Sequence, residues 1–263
     1  MGRLIFVLLD GLNAKTARSC MSFLNALDDA AQISHVTLTS FLPPLSRPLY
    51  ACLLSGLTPA NSGIVRNEDT QLCPAPTFFH QARKVGLTTA AAAYYWFSEL
   101  CNLSPFNPAR DRLTVNTSLP IAHGLFYSDD AYPDAELFRD AEALRHRVSP
   151  DLLLVHSMGI DWAGHCHGGT SVPYTQAVRH ADSLLARYLP LWLKEGYSLL
   201  ITSDHGMDAN GNHYDDAPDV RQVPLWQAGP VWKTLPQPAS QADIADLVCM
   251  ALGIPLINQP HDI

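Results

Sequence analysis

The chain has 263 residues, with 25 acidic against 17 basic side chains for a formal charge of -8, and 47% of its residues are apolar while 16% are charged. That length and apolar share suffice for one large domain with a deep core, and they exclude a disordered or solvating segment. No basic run is present, which excludes the electrostatic footprint of nucleic-acid binding, and an anionic small-molecule substrate would need bound cations to offset the charge of the protein.

In chain order, residues 4–9 form an apolar run that ends in Asp10 and Gly11. The run is too short for a signal-peptide core or a bilayer span, so it predicts a buried strand and no membrane association. A helix is predicted over 14–31, a strand over 35–39 that leads towards Ser46, and a helix over 77–85. Residues 94–130, rich in Pro, Asn and aromatic residues without a long periodic run, predict a cap or insert near the site. Beyond them come a helix over 133–148, a strand over 151–156 that precedes Asp161, a helix over 173–195, a strand over 198–202 that ends at Asp204 and His205, and a helix over 241–252. In the helix over 173–195, Leu184, Leu185, Tyr188 and Trp192 share a core-facing stripe, and Pro190 is expected to kink or divide it. This alternation predicts a three-layer α/β/α fold with a mostly parallel central sheet, a single domain over 1–263 whose site lies beyond the carboxyl ends of the strands. The six cysteines (Cys20, Cys52, Cys73, Cys101, Cys166 and Cys249) are scattered without a paired spacing, which predicts reduced thiols and a cytoplasmic protein.

The most informative segment is Ser203-Asp204-His205-Gly206-Met207, followed by Gly211-Asn212-His213. An Asp, a His and a later His supply ligands for a divalent cation. In Asp161-Trp162-Ala163-Gly164-His165 an acid and an imidazole stand four apart, so one helical turn or tight loop can aim both at the same ion. With Asp10 at a strand end, these residues suffice for two zinc-type ions that keep open positions for nucleophile and substrate.

An Asp after the first strand, a hydroxyl residue after Pro43-Pro44-Leu45, then Asp-x-x-Gly-His and Ser-Asp-His-Gly-Met with a later His form an ordered set that resembles the alkaline phosphatase superfamily, nearest to its type I phosphodiesterase/nucleotide pyrophosphatase branch. The resemblance implies an alkaline-phosphatase-like fold. Pro44-Leu45-Ser46-Arg47-Pro48, followed by Leu54-Ser55-Gly56 and Ser62-Gly63-Ile64, is similar to the nucleophile loop and helix, with Ser46 in the place of the attacking residue and a ligand of the same cation. Asn67 falls where nucleotide pyrophosphatases carry an Asn that holds a phosphate oxygen. The family further implies that Asp10, Asp204 and His205 bind the metal nearer the nucleophile, and that Asp161, His165 and His213 bind the other. The short interval from His205 to His213 resembles ethanolamine-phosphate-transferase and phosphonate-related members.

These roles are chemically coherent. A serine hydroxyl is a weak nucleophile until a cation or base lowers its pKa. Asn67 and the backbone N–H of Arg47 are suitable donors to a phosphate oxygen. Simpler readings hold elsewhere: His156 as a hydrogen-bonded core residue, His167 as a solvated loop residue, Tyr94, Tyr95, Trp96, Phe97, Phe126 and Tyr127 as core packing, and Asp129, Asp130 and Asp134 as surface or helix-start residues. The expected function is a hydrolase that cleaves a phosphodiester or pyrophosphate through a phosphoseryl intermediate with two divalent ions, zinc first and manganese second. The alternatives are a phosphomonoesterase or a phosphonate or sulfate-ester hydrolase on the same site, and, in another class, a metal-stabilised binding protein without turnover.

Overall fold

The computed structural model describes residues 2–257. Eight strands form one sheet among the described residues: β1 (Arg3–Leu9), β2 (Ile33–Thr39), β3 (Thr89–Tyr94), β4 (Leu113–Val115), β5 (His123–Tyr127), β6 (Leu152–Ser157), β7 (Tyr197–Thr202) and β8 (Gln222–Ala228). Their order is β2-β8-β7-β1-β6-β3-β5-β4. Only β8 and β4 run against their neighbours, so β1, β2, β3, β5, β6 and β7 all end at the same edge. The helices are α1 (Ala14–Cys20), α2 (Ser22–Asp29), α3 (Ser46–Ser55), α4 (Pro59–Ser62), α5 (Phe78–Lys84), α6 (Trp96–Cys101), α7 (Pro108–Asp111), α8 (Asp134–Val148), α9 (Gly159–His167), α10 (Val172–Lys194), α11 (Pro218–Arg221) and α12 (Asp243–Leu252).

The layers follow from the two-residue alternation of the strands. Ile5, Val7 and Leu9 of β1 face a core shared with α1, α2, α8 and α10, whereas Leu4, Phe6 and Leu8 face a second core shared with α3, α5, α6 and α12. This is the three-layer α/β/α fold that the alternation of strands and helices predicts. Among the described residues no helix is long and apolar enough to cross a membrane.

Three local expectations change. The helix expected over 14–31 is broken at Met21, whose ψ of 71° leaves the helical region. Both new ends are satisfied by side chains: Asn25 of α2 donates to the carbonyls of Ala17 and Arg18, and the Asp182 carboxylate on α10 accepts the N–H groups of Phe23 and Leu24 at 2.8 and 3.2 Å. Pro190 does not divide α10, because Phe138 stacks on Trp192 at 6.1 Å and packs on Tyr188 at 5.6 Å across the proline turn. Residues 94–130 hold α6 and α7 and also supply β5 and β4, which extend the sheet beyond β3.

Asp182 lies on the far layer from Ser46 and holds α2 at its N-terminus. Asp182→Ala should destabilise the protein by about 1–2 kcal/mol in urea unfolding, the usual cost of losing a cap; an unchanged unfolding midpoint would show that α2 is held by packing alone.

Candidate active site

The carboxyl edge of the sheet collects the expected residues. Asp10 follows β1, Asp161 lies in the first turn of α9 after β6, and Asp204 and His205 follow β7. Ser46 opens α3, and its Oγ lies 3.0 Å from His205 Nε2. Asp10, Ser46, Asp161, Asp204, His205 and His213 are all buried, and His165 is the exposed member. Gly11 has a φ of +72°, and a Cβ there would stand 2.8 Å from the Asp161 backbone, so the turn after Asp10 admits only glycine.

The imidazole orientations are decided by main-chain carbonyls. Nδ1 of His165 lies 2.9 Å from the Gly211 oxygen, Nδ1 of His205 2.9 Å from the Gly206 oxygen, and Nδ1 of His213 2.7 Å from the Pro44 oxygen. A carbonyl only accepts, so each ring carries its proton on Nδ1 and turns an Nε2 lone pair inward. Those lone pairs meet one another and the carboxylates: His165 Nε2 is 3.2 Å from His213 Nε2 and 3.3 Å from Asp161 Oδ2, and His205 Nε2 is 3.2 Å from Asp204 Oδ2. Asp10 Oδ1, Asp161 Oδ1 and Asp204 Oδ2 are buried without a hydrogen-bond partner. Acceptors facing acceptors out of water are costly unless a cation lies between them, and Nδ1 bound to a carbonyl is the usual setting of a ligating histidine. The donor set therefore fits divalent metal.

Two trios have ligand atoms within 4.8 Å of one another, Asp10 with Asp204 and His205, and Asp161 with His205 and His213. The first has the composition expected of the cation beside Ser46. In the second His205 is shared, and His165 adjoins it through its contacts with Asp161 and His213. Burial raises the Asp10 pKa to about 7 and takes those of Asp161 and Asp204 well above the carboxylate range, their mutual repulsion adding to the effect. Burial likewise lowers His205 well below its ordinary value and His213 to about 4, with neighbouring imidazoles contributing.

The expected phosphate donors are joined to each other: the Arg47 N–H donates to Asn67 Oδ1 at 3.0 Å, which leaves the Asn67 Nδ2 amino group as the donor of the pair. The Arg47 guanidinium is buried, paired with Glu99 at 2.7 Å and stacked on Trp96 at 4.6 Å. His156 is a buried, hydrogen-bonded neighbour of Asp10, and His167 is exposed at the end of α9. Asp134 starts α8 but is buried and accepts the Ser157 hydroxyl at 2.6 Å, and the half-buried Asp130 acts electrostatically on Asp10 and Asp161, so neither is a freely solvated surface residue.

Several supporting residues carry no sequence signal of their own. Gln241 is fully buried; its Nε2 donates to the carbonyls of Ser203 and Asp204 at 3.3 and 2.6 Å, and its Oε1 accepts the Phe41 N–H at 3.4 Å. It thereby ties the ligand loop after β7 to the segment leading into Ser46. Ser203 Oγ donates to the His205 carbonyl at 2.7 Å and accepts the Leu12 N–H at 3.0 Å. Tyr50, one turn after Ser46 on α3, donates to Asp10 Oδ2, and its spacing from Ser46 is the only hint the sequence holds.

Residues 4–239 match the family described as type I phosphodiesterase/nucleotide pyrophosphatase. The catalytic subunit of human GPI ethanolamine phosphate transferase 2 is 24% identical over 236 residues, covering 85% of this chain and 23% of that protein. Several further curated relatives carry GPI ethanolamine phosphate transferase names, and the chain spans less than a quarter of their length. Murine ectonucleotide pyrophosphatase/phosphodiesterase 5, in an inactive form with AMP, has the same fold, with a TM-score of 0.75 at 13% identity over 100% of this chain and 97% of that one. The C-terminal periplasmic domain of EcEptC from Escherichia coli, in complex with Zn, gives a TM-score of 0.68 at 12% identity over 98% and 84% of the two chains. These relatives overturn the expectation of a cytoplasmic protein, since one neighbour is by name a periplasmic domain and the named transferases are far longer proteins. The cysteines are unpaired in the structure, and unpaired thiols do not identify a compartment.

The ionisation of the site has a consequence for stability. The histidines, lowered from 6.5, cost folded stability only as pH falls below 6.5, where the unfolded chain takes up protons that His205 and His213 refuse. Asp10, raised from 3.8 to about 7, and the two further raised carboxylates act in the opposite sense: the folded metal-free protein retains their protons, and stability is lost as pH rises through about 7. Above pH 6.5 the penalty from His205 and His213 is gone, and the raised carboxylates set the trend. Chelator-treated protein should therefore melt at falling temperature as pH is raised through about 7, and added Zn2+ should abolish the fall; a metal-free melting temperature that stays level there would contradict the assignment.

Proposed function

The chain belongs to the type I phosphodiesterase/nucleotide pyrophosphatase family, and from that premise we propose that it is a single-domain, two-metal enzyme that cleaves a small-molecule phosphodiester through a phosphoseryl intermediate on Ser46. The observation that carries the reading is the convergence of three inward Nε2 lone pairs and three partnerless carboxylate oxygens, with the Ser46 hydroxyl 3.0 Å from one of those nitrogens, His205 Nε2. Asp10, Asp204 and His205 would hold one divalent ion beside Ser46, and Asp161, His165 and His213 the other, with His205 between them. Zinc suits this Asp/His set, and manganese is the second choice. When bound, the ions supply a lowered serine pKa and positive charge for the equatorial oxygens of the transferring group.

The protein's own residues supply the geometry. Ser46 Oγ attacks phosphorus, the P–O bond to the leaving group breaks, and the phosphoryl group stays on Ser46 until an acceptor oxygen displaces it in line. The Asn67 amino group is placed to donate to a non-bridging oxygen once its Oδ1 is anchored by the Arg47 N–H. A diester is favoured over a monoester because Arg47, the cationic side chain next to the nucleophile, is buried against Glu99 and unavailable for an additional phosphate charge.

The acceptor distinguishes two readings. Water makes the enzyme a hydrolase; an alcohol makes it a transferase, the reading favoured by the transferase names of the curated relatives. Both share the covalent step. Incubation of the metal-loaded protein with bis(p-nitrophenyl) phosphate and rapid acid quench should release one p-nitrophenolate and place a p-nitrophenylphosphoryl adduct on Ser46 by mass spectrometry, and graded ethanolamine or glycerol should divert product from hydrolysis to transfer. Ser46→Ala should lose the adduct and about 10³-fold or more in kcat, and Asn67→Ala should lose about 10²–10³-fold. Wild-type turnover by Ser46→Ala would refute the proposal.

A further inference from the structure

Asp10 is not held by its backbone alone. Its Oδ2 accepts the Tyr50 hydroxyl, and Tyr50 stands one helical turn beyond Ser46 on α3. His156, on β6 and in register with Leu8 of β1, lies behind that contact. Its Nδ1 is 3.4 Å from the Tyr94 backbone nitrogen and its Nε2 is 2.8 Å from Tyr50 Oη. A backbone N–H can only donate, so Nδ1 is the acceptor and the ring proton is on Nε2. The hydrogens then run one way: Tyr94 N–H to His156 Nδ1, His156 Nε2–H to Tyr50 Oη at 2.8 Å and, more distantly, to Asp10 Oδ2 itself at 3.3 Å, and Tyr50 O–H to Asp10 Oδ2. Tyr127 closes the far side by donating to the His156 carbonyl at 2.8 Å.

The chain has two consequences for the carboxylate. Oδ2 is committed, so Oδ1, which has no protein partner and lies 3.5 Å from His205 Nε2, is the oxygen left to face a cation. The helix that carries Ser46 is also bonded directly to Asp10, the residue after β1, so the phenol of Tyr50 ties the separation of Ser46 from Asp10 to the frame of the sheet. Packing fixes that phenol: its ring stacks on Phe97 at 4.6 Å and meets the edge of His156 at 4.9 Å. We propose that Tyr50 and His156 are positioning residues, a one-way hydrogen-bond relay that makes Asp10 a single-oxygen ligand and sets its distance from Ser46. The proposal rests on the two-metal reading above.

The test is metal binding by the full chain in the absence of substrate, with Zn2+ titrated against a competing chelator and Co2+ absorption as the report on ligand geometry. Tyr50→Phe removes one oxygen and keeps the stacked ring. It should weaken one of the two ions by about ten- to a hundredfold, the usual effect of losing a partner of a metal ligand, and leave the other ion at wild-type affinity, with the Co2+ spectrum of the weakened site altered. His156→Gln, which retains an amide N–H for Tyr50, should weaken the same ion by a smaller factor. Wild-type affinity for both ions in Tyr50→Phe, or equal weakening of both, would overturn the relay while the two-metal reading stands. A wild-type protein that takes up no divalent ion would overturn that reading and the relay with it.

Discussion

The structure is organised around a concentration of electron pairs out of water. Three imidazoles have given their only protons to main-chain carbonyls, and three carboxylates in the same space leave one oxygen each without a partner. Among the described residues no side chain donates to these three oxygens. Protonation is the alternative available to the chain alone, and burial pulls the two residue types in opposite directions, carboxylates up and His205 and His213 down. The arrangement becomes favourable when divalent charge is supplied, which makes metal capture part of its energetics as well as of its chemistry.

Holding such a group requires a rigid frame, and the sheet edge provides it. β1, β6 and β7 are consecutive parallel neighbours buried on both faces, so the residues that follow them can shift little relative to one another. Side chains then join the loops: Gln241 connects the turn after β7 to the approach to α3, Ser203 connects it to the turn after β1, and Tyr50 connects α3 to Asp10. The Pro44 carbonyl that orients His213 lies two residues before Ser46, so the nucleophile segment also orients a ligand. The proposed nucleophile and the proposed ligands are thus joined through one network of hydrogen bonds.

How much of this could be read from the sequence follows from the range of the forces involved. Asp161 and His165, or Asp204 and His205, are close in the chain because one turn or strand end must aim both, so the proposed metal site leaves a local signature in the sequence. The layered fold is equally legible, since strand and helix periods are local. What the sequence could not show was set by distant partners. The break at Met21 is capped by Asp182, more than a hundred and fifty residues away; Pro190 is tolerated because Phe138 bridges its turn; and Tyr50 and Gln241 are ordinary residues until the fold brings Asp10 and Asp204 to them. The cellular compartment leaves no physical trace in scattered thiols, and there the sequence reading failed.

The choice between water and an alcohol as acceptor must be made outside the group of ligands, because both reactions share the serine, the cations and the phosphoryl group. Arg47, whose free charge would have favoured a dianionic monoester, is turned instead into a buried pair with Glu99 on α6. That pair joins the nucleophile segment to residues 94–130, the part of the chain that both extends the sheet and brings Tyr95 and Trp96 beside α3. Glu99 also accepts the Phe106 N–H at 2.8 Å, so the loop beyond α6 is fixed to the same carboxylate. On the proposed reading the metal ligands serve either acceptor alike, so the choice would fall to residues outside them, and the segment coupled to Ser46 through Arg47 and Glu99 is one such part of the chain.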